Sequence, residues 1–251
     1  MIICVKMIFP SWKIYSRDIS QAYTQSGTKL NRKFFIKAPK EISIGDENIL
    51  QVLLPLYGVP EAGTHWFARY HKWHLDALKL STSSYDPCLM FGPNSIVGLQ
   101  TDDTLYASNQ EYANFEDTEL KKAKFKAKDI EILSENFPMT FNGVNIKIVK
   151  DSICMTQQRQ CRKIELINPK NKDFKSQYVC QRARGAYIAS MIQPEASFSL
   201  SYAAQTTDPS TDDVELLNKC LKWQFDNQSR GLRFIKLSPK GLKTFVFVDA
   251  K

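Results

Sequence analysis

Two aspartates stand side by side in SIVGLQTDDTLYAS, at Asp102 and Asp103. Strand-forming residues run into the pair and out of it, which predicts the tip of a hairpin rather than a helix. A single aspartate, Asp18, ends another β-rich run in SWKIYSRDISQAY, and Tyr23 follows five residues later. Two strand ends that bring one aspartate to an Asp-Asp pair can hold two divalent cations, the arrangement used for phosphoryl and nucleotidyl transfer. Adjacent carboxylates at a strand end repel each other unless a cation or solvent compensates them. The alternative is an ordinary exposed turn. A second pair, Asp212-Asp213, is an internal control: it follows Ser210-Thr211 and precedes an apolar helical pattern, so helix capping accounts for it.

Other reactive residue types offer less. His65, His71 and His74 share one expected helix. His71 and His74 lie three apart, but zinc would ask for a third ligand and usually a spacing of four, so core or surface imidazoles are expected. Cys4, Cys88, Cys154, Cys161, Cys180 and Cys220 show no CxxC or zinc spacing, which points to free thiols in a reducing compartment. The basic residues Lys29, Arg32, Lys33 and Lys37, interleaved with Phe34 and Phe35, suit a phosphate backbone with aromatic support. They suit equally a solvated strand edge protected by its lysines.

The elements that must position these residues follow from pattern and punctuation. Residues 11–23 read as a strand entering a turn, and FFIKAP as a strand closed by Pro39. Pro55, Gly58, Pro60 and Gly63 make VLLPLYGVPEAG a rigid turning connection, not a helix. From Glu61 a helix should carry Trp66, Tyr70, Trp73 and Ala77 as a stripe packed under a sheet. EYANFEDTELKKAKFKAKDI reads as one charged helix, FNGVNIKIVKDSICMTQ as a hairpin turning at Lys150-Asp151, and QRQCRKIELIN as a short helix. NPKNKDFKSQ has the composition of a loop or boundary, and helices are expected in RARGAYIASMI, SFSLSYAAQ and STDDVELLNKCLKWQF, with KTFVFVDAK a final strand.

The bulk composition is compatible with that plan. A chain of 251 residues with 43% hydrophobic content can bury a core, and a net charge of +8 favours polyanionic partners. Lys6 and Pro10 interrupt the apolar opening, and no run reaches the length of a membrane span. An intracellular protein without a membrane is expected, cytoplasm and nucleus being indistinguishable.

Taken together, five blocks resemble the reverse transcriptase of copia-type retrotransposons, particularly the fungal branch, over nearly the whole chain from about residue 12. RDISQAY is similar to the family's DVKTAF, FFIKAPKE to VYMKQPEG, LPLYGVPEAGTHW to SLYGLKQSPRQW, SSYDPCLM to SxxDxCLY, and LQTDDTLY to YVDDMLI. The resemblance implies an α+β fold: a polymerase palm of antiparallel sheet backed by helices, with partial fingers, then a mostly helical thumb and connection. The implied segments are fingers and palm over 1–135, primer-grip hairpin and thumb over 136–180, helical connection over 181–243, and the first strand of a ribonuclease H domain, with Asp249, over 244–251.

By the same resemblance Asp18 and Asp102 would be ligands of two Mg²⁺ ions, with Asp103 completing a catalytic triad of acids. Tyr23 would exclude a ribose 2′ hydroxyl, and Leu56, Tyr57 and Gly58, within Leu54–Gly58, would line the nucleotide pocket. The implied partners are an RNA or DNA template with primer and deoxynucleoside triphosphates. Gln100-Thr101 replaces the family's Tyr-Val, and only 17 residues precede Asp18. No further ribonuclease H acid follows Asp249, so the resemblance implies a chain truncated at both ends and lacking that activity. Two alternatives stay open: an inactive chain that binds nucleic acid non-specifically, and a palm-like phosphatase or nuclease, which would want histidines or more carboxylates around its metals.

Overall fold

The computed structural model describes residues 1–38, 41–42, 45, 48–238, 240 and 243. The chain divides into two compact units, Met1–Ile132 and Leu133–Lys251. Both mix helices with antiparallel sheet. Pro39 and the strand expected over 244–251, Asp249 included, lie outside the described residues.

The first unit runs α1 (Ile2–Ile8), β1 (Lys13–Asp18), a 3₁₀ turn (Ala22–Gln25), β2 (Phe34–Lys37), β3 (Ile49–Val52), α2 (Ala62–Asp76), β4 (Ser81–Thr82), β5 (Leu89–Gly92), β6 (Ser95–Gln100), β7 (Asp103–Ser108), α3 (Gln110–Lys122) and β8 (Glu131–Ile132). Six of these strands form one antiparallel sheet in the order β4-β5-β6-β7-β1-β8, while β2 and β3 pair separately. Alternation along β1 and β7 sends Tyr15 and Tyr106, stacked at 5.0 Å, to one face. There they meet Trp66 and Tyr70 of α2 and Tyr112, Ala113 and Leu120 of α3 in a single core. The aromatic stripe expected on α2 therefore does pack under a sheet. On the opposite face α1 covers β6 closely: a Cβ on Gly98 would lie 2.8 Å from Ile2 Cδ1 and would make that side chain shift. No pattern in the sequence predicts this helix.

One expected helix is corrected. The segment 111–130 is helical only to Lys122, and Lys124 turns the chain back with φ +57°. Packing outweighs helix propensity here: Phe125 drops edge-on against Trp66, Tyr70 and Trp73. The chain then runs beside β1, with Ala127 bridging Ile19 and the Lys128 amide donating to the Asp18 carbonyl at 2.9 Å.

The second unit holds β9 (Met139–Phe141), β10 (Val144–Val149), β11 (Ser152–Thr156), α4 (Gln158–Cys161), α5 (Phe174–Met191), a 3₁₀ turn (Pro194–Ala196), α6 (Ser197–Ala204), α7 (Thr211–Asp226) and β12 (Leu232–Phe234). Its sheet runs β12-β11-β10-β9. The expected hairpin turns at Lys150, φ +54°. The helix expected over 158–168 shrinks to α4, because side chains of α5 and α7 take the backbone groups that further turns would pair internally. Asn218 bonds both the amide and the carbonyl of Ile167, at 2.9 and 2.8 Å, and Gln181 accepts from the Glu165 amide. The loop expected over 168–177 gives way to α5 at Phe174 and lies inside this unit. Asp212-Asp213 does cap: Ser210 and Asp213 form a reciprocal capping box at the start of α7. No helix among the described residues is long and apolar enough to cross a membrane.

Candidate active site

Asp18 and Asp103 are direct cross-strand partners at one end of the β1–β7 pair, so their side chains share a face. This is the face that α1 covers further along the sheet, since Ser16, Leu105 and Gly98 continue the same alternation. Asp102 sits in the two-residue turn that joins β6 to β7, and its carbonyl accepts from the Ile19 amide at 2.9 Å. The three acids are thus brought together by strand pairing and one turn. Thr101, in that turn, has φ +56°, a strained region for a β-branched residue of the kind that persists where the surroundings over-determine it. Trp66 Nε1 holds the turn by donating to the Thr101 carbonyl at 2.7 Å.

The charges interact. Burial raises the pKa of Asp103, and the negative charges of Asp102 and Asp18 raise it further, while Lys128 acts in the opposite sense. Lys128 Nζ lies 2.6 Å from Asp18 Oδ2. Its own pKa is raised by that hydrogen bond and by the charge of Asp18. Among the described residues no three His, Cys, Asp or Glu side chains converge as a formed metal cage. The donor set still suits one class of ion: carboxylate oxygens without nitrogen or sulfur fit Mg²⁺ or Mn²⁺, and the ammonium on Asp18 already occupies a cation's place there.

Beside the acids stands an aromatic pair. Tyr23 lies in the 3₁₀ turn after β1 and packs on Tyr57 at 4.6 Å between ring centroids. Tyr57 is presented by a turn in which the Val59 amide donates to the Leu56 carbonyl at 3.0 Å, and Gly58 takes φ +92° at the third position, where a type II turn calls for glycine. The Tyr57 phenol is raised in pKa by burial and then by the charge of Asp102, which puts its tip within the field of the acids. Leu56 and Tyr57 are both exposed.

The basic residues divide. Lys29, Lys33 and Lys37 are exposed, Lys37 on β2. Arg32 is engaged, donating twice to Glu61 at 2.7 and 2.8 Å and lying over Phe34 at 5.1 Å. With the Leu30 amide donating to the Leu53 carbonyl, this ties the basic loop to the segment that carries Tyr57.

Sequence reasoning passed over the residues behind the acids. Arg17 faces the core side of the sheet and is 3% exposed, as is Glu116 on α3. Its guanidinium donates to Glu116 at 2.7 and 3.3 Å, to Asp117 at 3.0 Å and to the Lys128 carbonyl at 3.2 Å. Tyr106 also donates to Glu116 at 3.3 Å. The signal was present: Glu116 falls on the stripe Tyr112, Ala113, Leu120, and a charge on an apolar helix face needs a partner. Lys128 falls in a stretch of helical composition, although Phe125 and Ala127 alternate with lysines at strand period. The histidines are absorbed structurally. His74 is buried with Nδ1 2.9 Å from the Tyr70 carbonyl, His65 bonds Thr28, and His71 bonds Thr82. No family model matches the sequence.

Proposed function

We propose that this chain is an RNA-directed DNA polymerase whose first unit is a polymerase palm, acting by two-metal nucleotidyl transfer. The observation that carries the reading is the pairing of Asp18 with Asp103 across β1 and β7, with Asp102 at the adjoining turn and the Tyr23–Tyr57 stack beside them. In this reading Asp18 and Asp102 hold two Mg²⁺ ions and Asp103 completes the acidic set. Bound there, the ions lower the barrier to attack by a primer 3′ hydroxyl and stabilise the pyrophosphate leaving group. The chain's own side chains do the positioning. Tyr23 offers a ring face beneath the sugar of an incoming deoxynucleoside triphosphate and leaves no room for a 2′ hydroxyl, and Leu56, Tyr57 and Gly58 border the base. The exposed Lys29, Lys33 and Lys37 attract the template-primer backbone.

A second reading, a nucleic-acid-binding protein without catalysis, is favoured by the ammonium of Lys128, which neutralises Asp18 with no metal required. Primer extension on an RNA template with Mg²⁺ separates the two. Template-directed extension that Asp102→Asn reduces by at least about a hundredfold, the scale of removing a main electrostatic contributor, supports the polymerase. Absence of extension supports the second reading, and extension indifferent to the substitution overturns the role given to Asp102.

A further inference from the structure

Lys128 is held opposite Asp18 from both sides of its own backbone. Its amide donates to the Asp18 carbonyl at 2.9 Å, and its carbonyl accepts from Arg17 Nη1 at 3.2 Å. Arg17 is in turn fixed by Glu116 and Asp117. Most exposed lysines sample many directions and gain little from one ion pair. This one is tethered so that its ammonium reaches a particular carboxylate, one of three that crowd the end of the sheet. A like-charged cluster needs a compensating cation when no metal is bound, and the chain supplies one.

We infer that Lys128 is a built-in counter-ion: it occupies Asp18 in the metal-free protein and is displaced when a divalent cation binds. This rests on the two-metal reading above and deepens it, because the metal-free site is then a partly neutralised resting state and each loading event is an exchange of ammonium for metal. The exchange weakens the first metal by the strength of the ion pair that it breaks. It also frees a positive charge beside the site at the moment of loading.

The test is Mn²⁺ binding to the full chain, read from the loss of the free-ion electron paramagnetic resonance signal without nucleic acid or nucleotide. Lys128→Met is expected to bind Mn²⁺ roughly threefold to fivefold more tightly than wild type, the scale set by an exposed ion pair. Lys128→Arg should stay near wild type. Lys126→Met removes the same charge two residues away, from another exposed lysine, and should tighten binding clearly less. In an Asp18→Asn background Lys128→Met should tighten binding no more than Lys126→Met does in the wild type. Equal affinity of wild type and Lys128→Met, or equal tightening by Lys126→Met, overturns the exchange while leaving the metal centre in place. No Mn²⁺ binding by any of these proteins overturns the exchange, while the two-metal reading is decided separately by primer extension, because substrate phosphates supply part of the metals' ligands.

Discussion

Arg17→Met is the most demanding perturbation of the first unit. It removes a guanidinium that is 3% exposed and makes four hydrogen bonds to protein oxygens, two of them to the equally buried Glu116. Methionine fills a similar volume, so cavity formation is minor, and the cost is an uncompensated buried carboxylate. Breaking such a pair from one side costs about 3–5 kcal/mol, a large share of the roughly 5–15 kcal/mol that holds a domain together. Burial already pushes the Glu116 carboxyl up against the pull of Arg17, and without Arg17 it climbs further. The sign follows by linkage. Between the unfolded and the raised folded pKa, native Glu116 binds more protons than the unfolded chain, so the variant loses stability as pH rises through that window. The gap to wild type should therefore be smallest in acid and widen toward neutrality. Urea unfolding followed by tryptophan fluorescence across pH measures it, since Trp12, Trp66 and Trp73 all lie in this unit. Arg17→Met/Glu116→Met removes both charges and should recover most of the loss. A cost under about 1 kcal/mol, a gap indifferent to pH, or no recovery in the double variant would refute the argument.

Two further outcomes depend on pH. His74 is buried and its imidazole is pushed down to about 4 by desolvation, against the hydrogen bond at the Tyr70 carbonyl. The unfolded chain binds the proton first, so wild type should lose about 3 kcal/mol as pH falls from 6.5 to 4, a slope that His74→Met should flatten in thermal melts. Asp103 has its pKa raised by burial and by its acidic neighbours, so Asp103→Asn should raise the metal-free melting temperature at neutral pH. That gain should vanish below the ordinary aspartate range, where the wild-type residue is protonated as well; a gain that persists in acid would mean that charge repulsion is not its source.

Local pattern made much of this legible in advance. The Asp102-Asp103 hairpin, the aromatic stripe on α2, the Lys150 turn and the capped start of α7 are each written within about fifteen contiguous residues, where period and turn chemistry act directly. Two features escaped because they depend on distant partners. The stretch after Lys122 has the composition of a helix, yet it becomes an irregular edge of the sheet because Phe125 finds the α2 aromatics and Ala127 finds Ile19. Residues 158–168 likewise lose their helix to Asn218 and Gln181, which lie far along the chain. The acids could be named from sequence, whereas the cation on one of them could not, because its position depends on where a misread segment folds back.

The back-face network also bears on how the acids reach their positions. In β1 successive residues point to opposite faces, so Arg17 enters the core side while Asp18 stands on the other. A slip of one residue would exchange them, driving Asp18 toward Glu116 and leaving Arg17 beside Asp103. Apolar patterning alone does not forbid this strongly, since Ile14 and Tyr15 are adjacent and either can fill a buried position. The Arg17–Glu116 pair disfavours it, because the slipped register buries two carboxylates together without a cation. A buried ion pair is weak evidence for net stability, and its best-attested use is to fix register. Here it adds to the β1–β7 ladder in favouring the register in which Asp18 faces Asp103, so a residue on the far face of the sheet helps to bring the acids together.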